Sequence, residues 1–189
     1  MGKRIVSACT TLAVVALLLC GAPLFTSEAH AWTAKEIDAG VDASLDRFTF
    51  DVRGAKDLMN KAKGILVFPW VIKAGIGLGG EYGEGALRIK GKTVDYYSTA
   101  AASIGFQLGA QKKTIILVFL DQDALDKFRA SSGWKVGADA SVAVIAVGVG
   151  GAIDTSTIKE PIVAFVLDQK GLMYNLTLEG AKMTKIKRD

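Results

Sequence analysis

Four carboxylates in the middle of the chain, Glu81, Glu84, Asp95 and Asp139, are the residues through which this sequence could do acid–base chemistry. Glu81 and Glu84 stand three apart in a strand-like stretch, so they point to opposite faces unless a bulge intervenes. Glu81, Asp95 and Asp139 share a site only if the fold gathers them. Other reactive side chains are sparse: Cys9, Cys20 and the single histidine, His30, all fall within the first 30 residues. The run Gly75-Ile76-Gly77-Leu78-Gly79-Gly80 has the outline of a phosphate-cradling loop. Such a loop opens a helix, whereas here glycine continues on alternate positions to Gly83 and Gly85. In a strand that pattern leaves one face almost bare. Glycine weakens a strand unless close approach or curvature demands it, so the stretch predicts tight packing or a sharp bend.

Cations offer a second kind of chemistry. Arg53, Lys56, Lys61 and Lys63 outweigh Asp51 and Asp57 around a short predicted helix. Pro69-Trp70 follows and supplies an aromatic group suited to an apolar–polar boundary. Lys73 lies between Val71-Ile72 and the glycine run, placed either to pair with a carboxylate such as Glu81 or to meet a lipid headgroup. Arg53, Lys56, Lys61, Lys63, Trp70 and Lys73 are therefore the candidate lipid-contact residues. The competing reading is a solvated basic helix face, a core tryptophan and a structural ion pair. Arg129 and Trp134 carry the same two readings, as a carbonyl cap and a core residue on one side and contact groups on the other. No catalytic residue, metal-ligand set or cofactor motif is assigned.

The N-terminus constrains the chemistry further. Lys3-Arg4 precedes an apolar run from Ile5 to Leu19, and Ala29-His30-Ala31 is a small-x-small cleavage pattern. Residues 1–31 are expected to be a secretory signal peptide, cleaved after Ala31, which places the mature protein in the periplasm. The apolar run is short for a membrane span of ~20 residues. Lipidation at Cys20 or Cys9, anchoring the protein to the outer membrane, is the alternative. Removing 31 of 189 residues leaves 158, about one domain, assigned to 32–189. Both cysteines and the histidine leave with the signal, which excludes disulfides, thiol and Ser–His nucleophiles, and the usual zinc ligands. Loss of Lys3, Arg4 and Glu28 lowers the net charge from +4 to +3. That balance permits an anionic lipid surface, and no aromatic-basic motif points to nucleic acid.

The elements that position these residues follow from periodicity. Thr33-Ala34-Lys35-Glu36 is a capping box, and Ile37, Val41, Leu45 and Phe48 form a helical stripe opposite an acidic face. A break is expected at residues 49–53, then a second helix from about Gly54 to Lys63 ended by Gly64. Strands are expected at Ile65–Phe68, ended by Pro69, and at Ala74–Tyr82 and Gly85–Lys90. A Lys90-Gly91-Lys92 turn leads to further strands at Thr93–Tyr97, Ala102–Gln111 and Thr114–Leu120. Asp121–Ala130 reads as a third helix. Small-residue alternation over Lys135–Asp154, an apolar strand at Pro161–Leu167, another at Gly171–Leu178 and a basic tail complete the chain. Ile115–Gln122 and Ile162–Gln169 echo each other, as a duplicated unit or as two buried strands of similar kind.

Several motifs resemble the SYLF domain: Val67-Phe68-Pro69, Lys73-Ala74-Gly75, Gly79-Gly80-Glu81-Tyr82-Gly83-Glu84-Gly85, Tyr96-Tyr97-Ser98-Thr99-Ala100 and Phe128-Arg129-Ala130-Ser131-Ser132-Gly133-Trp134. The resemblance implies a lipid-binding, non-catalytic domain. Eukaryotic members are thought to use a basic amphipathic N-terminal segment for phosphoinositides. The first helix here is acidic on its polar face, so the expectation carried over is general affinity for anionic phospholipid or a fatty-acyl group. The predicted fold is α+β, a curved and mainly antiparallel sheet, barrel- or sandwich-like, packed with N-terminal helices and one internal helix. The predicted function is non-catalytic binding of a lipid surface in a bacterial envelope. The alternatives are a scaffold that binds another envelope protein and, behind it, a carboxylate hydrolase using Glu81 and Asp95.

Overall fold

One long ribbon, folded back on itself, organises the β-structure. The computed structural model describes residues 32–146, 158–168, 178 and 180–189, and for residues 75–78, 103–110, 146 and 168 the backbone alone. Residues 1–31, the expected signal peptide, lie outside the described residues, as does the strand predicted at Gly171–Leu178 except for Leu178.

Helix α1 (Ala34–Asp51) starts at the predicted capping box: Thr33 Oγ1 accepts from the Glu36 N–H, and the Glu36 carboxylate accepts from the Thr33 N–H at 2.8 Å. The break expected at 49–53 comes later, because α1 continues to Asp51 and ends at an extended Val52. Helix α2 (Ala55–Lys61) is shorter than predicted. Its chain leaves through an extended Ala62, so Gly64 is no helix cap. Gly64 opens the first strand instead, where an added Cβ would stand 2.9 Å from Leu125 Cδ1.

Strands β1 (Gly64–Ile89) and β2 (Lys92–Phe119) form one antiparallel ribbon, from Gly64 opposite Phe119 to Ile89 opposite Lys92. Six predicted strands thus merge into two. Pro69 does not end a strand: a register shift between Phe68 and Val71 absorbs it, because a bulge spares the ladder the missing N–H. The turn is Lys90-Gly91 as predicted, with φ of 51° and 76°, the doubly left-handed turn that matches strand twist.

The ribbon bends in its glycine-rich middle, where a second register shift falls between Gly75 and Gly77. The two limbs of β1 then meet backbone to backbone. An added Cβ on Gly83 would stand 2.7 Å from the Trp70 carbonyl oxygen, and one on Gly85 would overlap the Val67 carbonyl oxygen. Close approach and curvature, the two causes that justify alternating glycine, are both present.

The rest of the sheet is built on β2. Its first part pairs with β6 (Lys182–Ile186), which carries β3 (Trp134–Lys135) on its far side. Its last part pairs with β5 (Ile162–Asp168), and β4 (Val142–Ala146) runs parallel to β5. The sheet is therefore mainly antiparallel and curled, and the class is α+β. The expected basic tail is in fact strand β6, continuing to a docked Arg188. The two similar apolar runs are neighbouring strands, with Ile115 opposite Val166. Helix α3 (Gln122–Ala130) is capped by Asp121, whose carboxylate accepts from the Ala124 N–H at 2.9 Å.

Alternation divides the buried residues between two cores. Leu66, Phe68, Val71, Ile115, Leu117 and Phe119 face inward, meeting Leu87, Tyr97, Met183 and Trp134 across the curl, with Leu125 and Phe128 of α3 among them. Ile65, Val67, Ile116, Val118 and Phe165 face outward against Ile37, Val41, Phe48, Ala55 and Leu58 of the N-terminal helices. This double burial explains the uninterrupted apolar run at 115–119. The seam makes a direct prediction for stability. Gly85→Ala is expected to cost about 3 kcal/mol or more in urea unfolding, since backbone must move. Gly80→Ala, whose Cβ meets nothing nearer than the Ala101 carbonyl oxygen at 3.8 Å, is expected to cost under about 0.5 kcal/mol.

Candidate functional site

Of the six predicted contact residues, four form one group. Arg53 lies in the corner between α1 and α2, Lys56 and Lys61 on α2, and Lys63 just before β1. All four are exposed, and among the described residues none makes an ion pair or a side-chain hydrogen bond. The helix turns Ala55 and Leu58 into the core, which leaves the lysines on its outer side. Phe50, in the last turn of α1 and three residues before Arg53, is 90% exposed, a residue the sequence reading missed. The signal was available: at 100° per residue, Phe50 lies ~200° around α1 from the buried stripe residue Phe48.

Trp70 and Lys73 lie elsewhere, seven and ten residues beyond Lys63 along β1, or ~20–30 Å of extended chain. Trp70 is half-buried. Its ring sits against Gly40 of α1, where an added Cβ would stand 2.8 Å from the indole, and packs on Trp32 with centroids 5.3 Å apart. Lys112 Nζ lies 5.3 Å from the Trp70 ring centroid, a cation–π contact. With Ile72 and Glu36, these groups line a shallow cavity of about 290 Å³.

Lys73 adopts the ion-paired alternative of its two readings. Its Nζ is 3.5 Å from Glu81 Oε1, while Lys113 Nζ is 2.6 Å from Glu81 Oε2. The other carboxylates are also held separately. Glu84, 2% exposed, accepts from the Tyr82 hydroxyl at 2.7 Å and from Arg188, whose Nε lies 3.1 Å from Oε2 and whose Nη2 contacts Oε1. Asp95 takes Arg129 at 3.3 Å and Lys185. Arg129 thus pairs with a carboxylate, and Trp134 is core. Asp139 accepts from the Lys135 N–H at 2.6 Å. Glu81, Asp95 and Asp139 each have their own partner, and among the described residues no three His, Cys, Asp or Glu side chains gather as a metal site.

The acidic face of α1 has a structural use. Asp42 Oδ1 is 2.7 Å from Arg88 Nη2, and Asp38 accepts from Thr93 at 2.7 Å and Tyr96 at 3.0 Å. The helix is thereby tied to the ribbon near its turn. Burial, followed by the Asp38 hydrogen bond, raises the Tyr96 phenol above its ordinary value. Burial, with Glu84 beside it, pushes Tyr82 up to about 12. Tyr97 is also pushed up to about 12, by burial and then by Asp95, and its buried hydroxyl has no hydrogen-bond partner among the described residues. These shifts have one sign. Below pH 10 both states hold the phenolic protons; between 10 and about 12 the unfolded chain loses them first, so stability falls as pH rises. Tyr97→Phe removes an unpaired buried hydroxyl. It is expected to raise stability by about 1 kcal/mol at neutral pH and to flatten that alkaline decline, as read by urea unfolding against pH.

Comparison with known proteins bears on the second half of the chain. Residues 100–188 match the family model described as Ysc84: Las17-binding protein actin regulator. No curated protein matches the chain. The matched span takes in most of β2, all of α3 and strands β3 to β6, and ends at Arg188. This match over residues 100–188 agrees with the SYLF-domain resemblance carried by the sequence motifs.

Proposed function

We propose that this protein binds lipid surfaces without catalysis, through the corner formed by the end of α1 and by α2. One observation carries the reading: a nearly fully exposed Phe50 at the end of α1 is followed, by residue 63, by four exposed cations, Arg53, Lys56, Lys61 and Lys63, that the fold does not use. Burying a phenylalanine side chain in an acyl boundary is worth ~2 kcal/mol, and each cation near an anionic leaflet ~1 kcal/mol. Together they give reversible, salt-sensitive attachment. Among the described residues no helix is long and apolar enough to cross a membrane. With residues 1–31 acting as an export signal, the surface served is a membrane of the bacterial envelope, rich in anionic phospholipid. Trp70, with Lys112 and Ile72 around it, is a second and smaller contact for acyl or interfacial groups.

A second reading is that the same exposed corner docks an envelope protein; the family description, which names a protein-binding regulator, supports protein binding in general. The two separate by lipid dependence. In flotation with phosphatidylglycerol-containing vesicles, the protein is expected to partition at low salt and to release at about 0.5 M salt. Replacing Lys56, Lys61 and Lys63 together with Gln is expected to weaken partition ~100-fold, and Phe50→Ser ~10-fold or more, without loss of fold. No partition into anionic vesicles at low salt overturns the lipid reading; saturable, lipid-indifferent capture of a protein partner supports the second.

A further inference from the structure

Between α1, the end of α2 and the β1–β2 turn lies a cavity of about 370 Å³, which neither the exposed corner nor the Trp70 contact uses. Its size falls in the ~300–1,000 Å³ range of small-molecule sites. One side is apolar: Leu45 from α1, Met59 from α2, Ala62 from the C-cap of α2 and Ile65 from β1. Leu45, Met59 and Ala62 pack on the core but are only half-buried, so the fold leaves part of their surface uncovered. The other side is polar, with Asp42, Asn60, Arg88 and Lys90. Arg88 is answered by Asp42, 2.7 Å from its Nη2, and by Asp38 at 3.6 Å, while Nη1 donates to the Gly91 carbonyl at 3.3 Å. Its Nε is buried without an acceptor. Asn60 and Lys90 are exposed, and among the described residues neither side chain has a hydrogen bond or an ion pair. The polar side therefore carries one cation in excess, Lys90, and a set of unmet donors on Lys90, Asn60 and Arg88. A buried donor with no acceptor calls for an explanation, and an acceptor brought in by a ligand is one.

We infer that this cavity binds one single-chain amphiphile. Its acyl tail lies against Leu45, Met59, Ala62 and Ile65, and its anionic head meets Lys90, Asn60 and the edge of the Arg88 guanidinium. The shared head chemistry is a compact oxyanion, from either a fatty-acid carboxylate or a phosphate monoester. An apolar wall with a few convergent donors at one end suits such a molecule better than it suits a bare ion or a bare hydrocarbon. The cavity shares α2 with the exposed corner yet does not rest on that corner's reading, because it takes a dissolved monomer and not a membrane surface.

The test titrates the full chain with monomeric octanoate, octyl phosphate, acetate and octanol, and follows the Met59 methyl and Arg88 Nε–H resonances by NMR. Saturable shifts of both groups are expected with octanoate or octyl phosphate. Acetate, a head without a tail, and octanol, a tail without a charged head, are expected to bind at least tenfold more weakly. Saturation by octanoate alone identifies a carboxylate head, and saturation by octyl phosphate alone a phosphate head. Met59→Trp fills the apolar side and is expected to weaken binding tenfold or more. Lys90→Asn removes the cation while suiting the left-handed backbone at φ 51°, and is expected to cost about tenfold. Lys127→Gln on α3 leaves binding unchanged. Vesicle flotation is read in parallel: octanoate binding without flotation defeats the membrane reading and leaves the cavity standing, and flotation without octanoate binding does the reverse. Linear shifts, equal affinity for acetate or octanol, movement of Met59 without Arg88, or affinity unaltered by Lys90→Asn overturns the inference.

Discussion

The fold depends on one contact between backbones. The limbs of β1 approach so closely that Gly83 and Gly85 face the carbonyl groups of Trp70 and Val67 with no room for a methyl group. Without that approach the ribbon is a flat hairpin with two edges and no interior. With it, the inner faces of the limbs enclose Leu66, Phe68, Leu87 and Tyr97, and the ends of β2 are presented to β5 and β6. Helix α1 lies over the same join: Gly40 receives Trp70 from one limb, and Asp38 and Asp42 hold Arg88 from the other. A bent ribbon of 26 and 28 residues would be slow to form on loop-closure grounds, and local features lessen that difficulty. The tight Lys90-Gly91 turn starts the pairing and the glycines make the bend cheap.

Charge is distributed with the same economy. Carboxylates along the ribbon are spent on joining parts distant in sequence: Glu81 to Lys113, Glu84 to Arg188, Asp95 to Arg129 and Lys185. These pairs are more than half withdrawn from water on the acidic side, where breaking one partner costs more than making the pair gains. Their value is in specifying which segments meet, above all in fixing the last residues beside Glu84 and α1. The lysines of α2 do none of this. Exposed lysines without an ion pair also occur elsewhere on the described surface, so the cations alone do not mark this corner. What sets it apart is Phe50 at the end of α1, the most exposed large hydrophobic side chain among the described residues, which an external partner explains better than packing does.

Much of this was legible in the sequence, for identifiable reasons. Capping chemistry gave the starts of α1 and α3, because Thr33 and Asp121 each act on a donor three residues away. Glycine alternation announced the bend, since only backbone approach or curvature makes it tolerable. Strand boundaries failed at Pro69 and between Tyr82 and Gly85, where a bulge and a glycine read locally as ends although the ladder runs through them. Strand β6 was missed because its lysines at 182 and 185 hide the inward Met183. Among the proposed contact residues, the four exposed cations were picked from composition alone. Phe50 was passed over because it follows a genuine core phenylalanine. The pairing of Glu81 with Lys113 was not legible because the two lie 32 positions apart, across the fold of the ribbon.

The family match and the proposed contact surface fall on different halves of the chain. Residues 100–188 supply the frame, namely most of β2 with α3, β5 and β6, whereas Phe50 to Lys63 belong to the part that precedes it. A frame of paired strands and a filled interior dictates its own residues tightly, because each must fit neighbours on two sides. The corner of α1 and α2 is bound to that frame by only one face, through Val52, Ala55 and Leu58, and its outer side is free to vary in charge and greasiness without disturbing the core.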